Sequence, residues 1–447
     1  MIKLFISGDI LVTGADERVV KDIKSVLTIK NPAYHKIARV TGLAWAVPRD
    51  FKYYTVSRAG IRVPRGILNR LIGYFKKHTI AYEIETDFID KENQDFIPKK
   101  PELREYQSPI VEASIASENG GVIVAGTGSG KTIIALEVAR RIRKTTLIIV
   151  PTTVIQDQFI SKAKEFFDYE IDVINAEKKE FKNITVTTWQ SLKNKEILST
   201  CREKYSIVMV DECHGIVSDA RMGILKTLQP LRLYGLTGSP RRSKEDGRTN
   251  AIFFMLGDVI YNYEVTQLSP TVERIWTNIN LPVIDYPEMI KEMTENDQRN
   301  TLIAGLVIGE VMSGRKVLVL TKRIAHYKTI YEKIPSDWKT FYIDASDQNR
   351  AELLSSLSSG DTEFSAIFGT TSLLATGLDI PSLDTLIIAC DLKSDVVVQQ
   401  GAGRILRLFK DKPNPKIIDL VDNLNPILHR QGFERQQFYK RMGWNIT

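Results

Sequence analysis

The chain has 447 residues, 43% hydrophobic and 26% charged, with a net charge of +7 and a pI of about 9.0. That is too apolar for a disordered chain and long enough for about three domains. The basic excess favours a polyanionic partner, nucleic acid first. Cys201, Cys213 and Cys390 are scattered without a C-x-x-C pair. This pattern indicates neither a zinc site nor an iron–sulfur cluster and suits a reducing cytoplasm. The apolar run at Met1–Ser7 is too short for a signal peptide, and no segment reaches the length of a membrane span.

Residues 1–90 hold 15 Lys/Arg against 9 Asp/Glu. Phe51–Arg58 alternates like a strand, and Gly66–Phe75 has the spacing of an amphipathic helix. Arg58, Arg62 and Arg65 lead into Arg70, Tyr74, Phe75, Lys76 and Lys77. Basic residues interleaved with aromatics suit phosphate contact plus base stacking. A small α/β (α+β) domain with a solvated basic face is the competing reading. Lys91–Pro101 is polar, carries two prolines and reads as a linker. The expected domains are 1–92, 98–265 and 266–447.

Beyond the linker, continuous apolar runs alternate with helical patterns. They include Gly121–Val124, Leu147–Val150, Ile184–Thr187, Ile207–Val210 and Leu233–Thr237. Val317–Leu320, Ala366–Phe368, Leu386–Ala389 and Ile417–Leu420 continue the series. Such runs predict parallel strands covered on both faces, and their number predicts two α/β lobes. The boundary is expected between Tyr263 and Pro282.

Ala125-Gly126-Thr127-Gly128-Ser129-Gly130-Lys131-Thr132 lies between a strand and a helix. This is the pattern of a phosphate-binding loop. The glycines let backbone N–H groups approach phosphate oxygens, and the helix N-terminus adds partial positive charge. Lys131 can reach the β- and γ-phosphates, and Thr132 can ligate Mg²⁺. Asp211 and Glu212 end the Ile207–Val210 strand. Asp211 would hold Mg²⁺ and Glu212 would polarise the attacking water. Thr237 and Ser239 flank Gly238 after another strand and can hydrogen-bond the acids. Gln400, Arg404 and Arg407 share a helical segment of the second lobe, where the arginines point to one side. Such arginines can serve a γ-phosphate, and Gln400 can hold nucleotide or water.

Ala125 departs from the strict loop, which has glycine there. With the acid box Asp-Glu-Cys-His and the segment Gln400-Gly401-Ala402-Gly403-Arg404-Ile405-Leu406-Arg407, the chain resembles superfamily 2 helicases and translocases over residues 100–425. It is most similar to the phage branched-DNA helicases. The resemblance implies two RecA-like parallel-sheet lobes in tandem behind a small α/β domain, with ATP and Mg²⁺ as cofactors. It implies adenine contacts from Arg104 and Gln107, and nucleotide contacts from Gly377 and Asp379. It assigns strand contacts to Pro151, Thr152, Gln158, Thr188, Gln190 and Ser191 in the first lobe. Thr321, Lys322, Arg323, Thr370 and Thr371 take that role in the second. The expected partner is forked or branched DNA, without membrane or further small-molecule substrate. The expected state is a monomer in the cytoplasm, that of the host cell if phage-encoded. A duplex translocase that separates no strands, or an RNA helicase, are the alternatives. Arg241–Arg248 is read either as a DNA-contacting loop or as a solvated connector.

Overall fold

A run such as Thr146–Val150 shows no polar alternation because both faces of its strand are covered. The computed structural model describes residues 1–32, 34, 48–92, 97, 99–126, 129–174, 181–238, 248–263, 269–282, 285–343, 350–375, 380–392, 395–406, 409 and 412–447. The chain divides into two compact units, Met1–Val265 and Thr266–Thr447.

The first unit opens with a mixed sheet. Its strands are β1 (Ile2–Ile6) and β2 (Asp9–Thr13), with α1 (Glu17–Val26) following. The short pair β3 (Thr28–Lys30) and β4 (Asp50–Lys52) forms a separate ribbon. Then come β5 (Thr55–Ser57), β6 (Gly60–Pro64), α2 (Leu68–Lys77) and β7 (Tyr82–Thr86). The sheet order is β5-β6-β2-β1-β7, with β7 parallel to β1 and the other pairs antiparallel. Alternation along β1 buries Ile2, Leu4 and Ile6 and leaves Lys3 and Phe5 outside. Val19 and Ile23 of α1, with Leu68, Leu71 and Phe75 of α2, complete the same core. Asp16 caps α1 by accepting from the Val19 N–H at 2.8 Å. The Phe51–Arg58 stretch is not one strand. It breaks at Tyr53, whose N–H donates to the Leu27 carbonyl and whose ring packs edge-on against Phe254.

The remainder of the unit is a seven-stranded parallel sheet. In chain order it runs α3 (Gln107–Ala116), β8 (Gly120–Ala125), α4 (Lys131–Ile142), β9 (Thr146–Val150) and α5 (Thr153–Phe167). It continues with β10 (Asp172–Ile174), β11 (Ile184–Thr188), α6 (Lys195–Lys204), β12 (Ile207–Asp211) and α7 (Asp219–Leu228). It closes with β13 (Arg232–Thr237), α8 (Thr249–Leu256) and β14 (Val259–Tyr263). The strand order is β10-β11-β9-β12-β13-β8-β14.

The module and this sheet are joined by close backbone contact. A Cβ on Gly8 would stand 1.5 Å from the Lys226 carbonyl oxygen, and one on Gly66 would stand 2.3 Å from the Gly257 nitrogen. Phe254 of α8 belongs to the core of the module. The expected linker is stitched down where it is described. The Lys91 N–H donates to Ser206 Oγ, and the Lys91 carbonyl accepts from the Thr145 N–H at 3.0 Å. Lys144 pairs with Asp90 at 2.6 Å.

Arg65 corrects the sequence reading. It is 4% exposed and donates to the Pro230 and Leu231 carbonyls, with its guanidinium 4.5 Å from the centre of the Phe88 ring. Burial lowers its pKa to about 10, so it stays charged at neutral pH. It anchors the module to the sheet instead of meeting nucleic acid. Arg62 is exposed but pairs with Asp9 at 3.0 Å, and Arg58 is exposed.

The second unit is also a seven-stranded parallel sheet. It begins with β15 (Thr271–Trp276), α9 (Tyr286–Glu295), α10 (Asp297–Met312), β16 (Val317–Thr321) and α11 (Ile324–Tyr331). Next are β17 (Thr340–Ile343), α12 (Arg350–Ser359), β18 (Ala366–Thr370), α13 (Ser372–Ala375) and β19 (Thr385–Ile388). Last come α14 (Asp395–Ile405), β20 (Lys416–Val421), α15 (Pro426–Arg441) and β21 (Asn445–Ile446). The order is β17-β18-β16-β19-β20-β15-β21. The first strand of the unit therefore lies between its last two. Two tandem parallel sheets behind a mixed sheet are the α/β arrangement that the apolar runs foretell.

Arg65→Ala leaves two buried carbonyls without a donor. The expected loss is about 3 kcal/mol in urea unfolding of the full chain. Arg62→Ala, which removes an exposed pair, should cost less than about 1 kcal/mol. Equal effects of the two would undo the anchor assignment.

Candidate nucleotide site

Strand order brings the chemistry together. β13 lies between β8 and β12, and the register pairs Thr237 with Val124 and Leu236 with Asp211. The three strands therefore deliver Gly126, Thr237 and the acids Asp211 and Glu212 to one edge of the sheet. Carboxyl ends of parallel strands are where α/β sheets bind ligands. The phosphate loop turns back there, with the Ser129 N–H donating to the Gly126 carbonyl at 3.2 Å. Thr127 and Gly128 lie outside the described residues.

Gly130 sits at φ +76°, a left-handed conformation that glycine adopts at no steric cost, and Lys131 begins α4 directly after it. A Cβ on Gly130 would stand 2.5 Å from Gln107 Nε2. Gln107 is buried. Its amide donates to the Ser129 carbonyl at 2.9 Å and accepts from the Arg104 N–H at 2.9 Å. So Gln107 braces the loop from behind. Arg104 is exposed and donates to Tyr106 Oη at 3.0 Å. Tyr106 in turn donates to the Ser129 carbonyl and stacks on Tyr263 at 4.4 Å between ring centres.

Lys131 Nζ lies 3.2 Å from Glu212 Oε1, and His214 Nδ1 lies 3.2 Å from Glu212 Oε2. Thr237 Oγ1 is 3.5 Å from the same His214 nitrogen. Burial works against ionisation of Glu212, but the charges of Lys131 and His214 outweigh it and hold the carboxyl below its ordinary range. Asp211 shifts the other way. Burial, then the charge of Glu212, push its carboxyl up. Glu212 has φ +47°, a strained backbone for a residue other than glycine. Strain of that kind costs about 1–3 kcal/mol and collects at functional sites.

Two buried oxygens, Asp211 Oδ1 and Ser129 Oγ, have no hydrogen-bond partner among the described residues. An orphaned carboxylate oxygen at a phosphate loop fits Mg²⁺. That ion binds through one or two protein oxygens and otherwise through phosphate and water. No group of three or more His, Cys, Asp or Glu side chains suited to hold a metal alone occurs among the described residues. Asp211 and Thr132, which is half-buried on the first turn of α4, are the residues that would hold the ion. With Lys131 and the α4 N-terminus, the edge can bind a triphosphate and present Glu212 to a water molecule.

The remaining expected residues of the first unit fall at the ends of neighbouring strands. Pro151 is exposed after β9, and Thr152 caps α5 by accepting from the Ile155 N–H at 3.4 Å. Gln158 is half-buried on α5. Thr188 ends β11 and is bonded to Ser191 Oγ at 3.2 Å, while Gln190 is exposed.

In the second unit, Thr321 and Thr370 are register partners on β16 and β18. Thr321 corrects the sequence reading. Its side chain is fully buried and donates to the Arg323 carbonyl at 3.0 Å, so it shapes the turn and meets no ligand. Lys322 pairs with Asp391 at 2.6 Å. Burial opposes its charge, but Asp391 prevails and raises its pKa. Arg323 is exposed, Thr370 bonds Ser372 Oγ at 2.6 Å, and the Thr371 N–H donates to the Thr321 carbonyl. Arg404 lies half-buried on α14. The backbone of Gln400 is on the same helix, and its side chain lies outside the described residues. Ser239, Gly377, Asp379, Arg407 and the 241–247 stretch also lie outside them.

Sequence reasoning missed three participants. His214 is visible in the acid box but has no partner there, and the contacts to Glu212 and Thr237 supply one. Tyr263 and Asp391 carry no local signal, because each acts through a residue far away in sequence. Cys201, Cys213 and Cys390 are all buried and free. No helix among the described residues is long and apolar enough to cross a membrane.

Gly130→Ala should weaken nucleotide binding at least about tenfold, roughly 1.4 kcal/mol, in equilibrium titration with a fluorescent ATP analogue. Unchanged affinity would remove the Gln107 brace from the account. Asp211 titrates above its unfolded value, so at neutral pH folding works against its charge. Asp211→Asn should therefore stabilise the metal-free chain by about 1 kcal/mol in urea while abolishing nucleotide turnover.

The family model described as type III restriction enzyme, res subunit, matches residues 100–242, and the helicase conserved C-terminal domain matches residues 297–409. A putative helicase of Invertebrate iridescent virus 6 is 28% identical over 370 residues, 77% of this chain and 82% of that protein. The ATP-dependent DNA helicase uvsW of Enterobacteria phage T4 is 26% identical over 361 residues, 73% of this chain and 69% of that protein. A fragment of a putative HsdR subunit of a type I restriction enzyme from Vibrio vulnificus superposes with a TM-score of 0.58 at 19% identity. That superposition covers 76% of this chain and 66% of the fragment, and it speaks for the fold alone. Two helicase-core domains, matched in tandem over more than half of its length and carried on paired parallel sheets, make this chain a superfamily 2 helicase, related to the helicase of phage T4.

Proposed function

We propose that the chain is an ATP-dependent DNA helicase that translocates on DNA and unwinds or branch-migrates forked and junction substrates. The observation that carries the ATPase half is the contact chain Lys131–Glu212–His214–Thr237 beside the orphaned Asp211 Oδ1. Lys131 and Glu212 engage each other. Phosphate oxygens entering the loop compete for the Lys131 ammonium and free Glu212 Oε1 to accept from water. Asp211 and Thr132 would hold Mg²⁺, which would supply charge neutralisation at the phosphates. His214 links the acid to Thr237 at the end of β13, so a change at Glu212 is felt on the neighbouring strand. Arg404 of the second unit is our candidate for the cation that stabilises the γ-phosphate in turnover.

The DNA half is supported by the basic balance of residues 1–90 and by the relative from phage T4, which is a DNA helicase by name. Alternating grip by the two units, set by nucleotide state, would convert hydrolysis into movement along a strand.

The test combines steady-state ATPase with strand release from labelled forks, four-way junctions, blunt duplexes and RNA duplexes. DNA should stimulate hydrolysis, and forks or junctions should release a strand. Lys131→Ala should abolish turnover, and Arg404→Ala should lower it about 10³-fold with nucleotide binding retained. Stimulated ATPase with no strand released from any branched substrate would leave a duplex translocase. Release from RNA alone would leave an RNA helicase.

A further inference from the structure

The cations of the N-terminal module are sorted by face. On the open face of its sheet they are neutralised. Lys3 stands 3.5 Å from Glu83 and 3.8 Å from Glu85, and Arg62 stands 3.0 Å from Asp9. On the helical face, Arg18, Lys21 and Lys24 of α1 and Lys76 and Lys77 of α2 make no ion pair among the described residues. Three acids share this face, namely Asp16, which caps α1, Glu17, and Asp22, which accepts from Tyr74 Oη at 2.7 Å, so the five cations outnumber the carboxylates by two. The Tyr74–Asp22 bond joins the two helices, which share one core and so carry their cations on the same side of the module.

Two further features say what this patch fits. Phe75 is buried, Tyr74 is half-buried and bonded to Asp22, and the exposed His78 ring just after α2 packs against Tyr74 at 4.5 Å between ring centres. The face therefore offers charge for phosphates and little platform for unstacked bases. Gly73 lies exposed on α2 with open space where a Cβ would stand. A glycine inside a helix costs about 1 kcal/mol relative to alanine. Here it leaves the helix surface flat next to Lys76 and Lys77, so a ridge of phosphates can approach closely.

We infer that the α1–α2 face is a docking surface for the phosphate backbone of duplex DNA, an inference that rests on the DNA-directed reading above. It takes the place of Arg62 and Arg65, which the sequence offers as phosphate contacts of the module. Through Arg65, Gly8 and Gly66 the module is fixed to the sheet that carries the phosphate loop. A duplex on this face is thus held in constant register with the nucleotide site of its own unit.

The test uses the full chain and fluorescence anisotropy with a labelled blunt duplex and a single strand of the same sequence, across a salt series. The variant K21E/K24E/K76E/K77E should lose at least about 100-fold in duplex affinity, and its log–log salt slope should flatten by roughly 3 to 4. Its single-strand affinity should stay within a few-fold. The sheet-face variant K3E/R62E should bind duplex like the wild type. Gly73→Leu, a substitution that favours the helix, should leave the melting temperature no lower yet weaken duplex binding about tenfold. A quadruple variant that keeps both affinity and slope overturns the inference, and so does equal loss in the sheet-face variant. Equal loss of single-strand affinity also overturns it. Wild-type ATPase that ignores DNA overturns the helicase reading instead.

Discussion

Lys131 and Glu212 lie 3.2 Å apart although one follows β8 and the other follows β12, with β13 between those strands. That proximity is the constraint on which the first unit is built. Both residues must leave the sheet at the same edge, which only parallel strands in matching register allow. Parallel strands need crossovers, and the crossovers bury both sheet faces. Hence the mostly apolar, almost wholly buried residues of β8, β9, β12 and β13, and hence the low-dielectric floor beneath the site. Burial raises Asp211, while at Glu212 the charges of Lys131 and His214 overcome burial and lower it. Two adjacent carboxyls are thereby driven apart in character by their surroundings, one suited to a metal and one to a water.

The second unit meets a similar requirement with fixed charge. Arg299 is fully buried, donating to both carboxylate oxygens of Asp422 and to the Ala389 carbonyl. Arg435, also buried, donates to Asp419 Oδ1 and to the Leu392 and Leu420 carbonyls. Such pairs add little net stability over apolar packing, but removing one partner is costly. Their value here is geometric. They tie α10 and α15 to the ends of β19 and β20, the edge from which Asp391 holds Lys322.

What was legible in the sequence follows from which interactions are local. The phosphate loop, the acid pair and the strands covered on both faces are written in consecutive residues. The Gly66–Phe75 helix is equally local, and it appears as a short turn at Arg65–Ile67 followed by α2. Other strands are not. β15 reads Thr-Val-Glu-Arg-Ile-Trp, and its polar residues make sense only beside Lys416 and Gly432, which bond Glu273 and Arg274. Arg62 and Arg65 look interchangeable on paper. One stays at the surface and the other is drawn inward by two carbonyls some 165 residues away. Thr321 stands in a segment that resembles a strand-contact motif, but its hydroxyl closes the turn that follows. In each case the deciding partner is one that spacing and composition do not reveal.

The place of β15 has a consequence for how the chain becomes a protein. As the first strand of its unit it pairs with β20 and β21, the last two. During synthesis it emerges early and has no neighbour until nearly all of the unit has followed. Its exposed edge must wait, and a waiting edge invites pairing with the wrong chain. The charges at Glu273 and Arg274 sit in that strand and discourage such pairing before their own partners arrive. β8, the first strand of the other parallel sheet, waits in the same way for β13 and β14, so each sheet should close late, when its last two strands arrive.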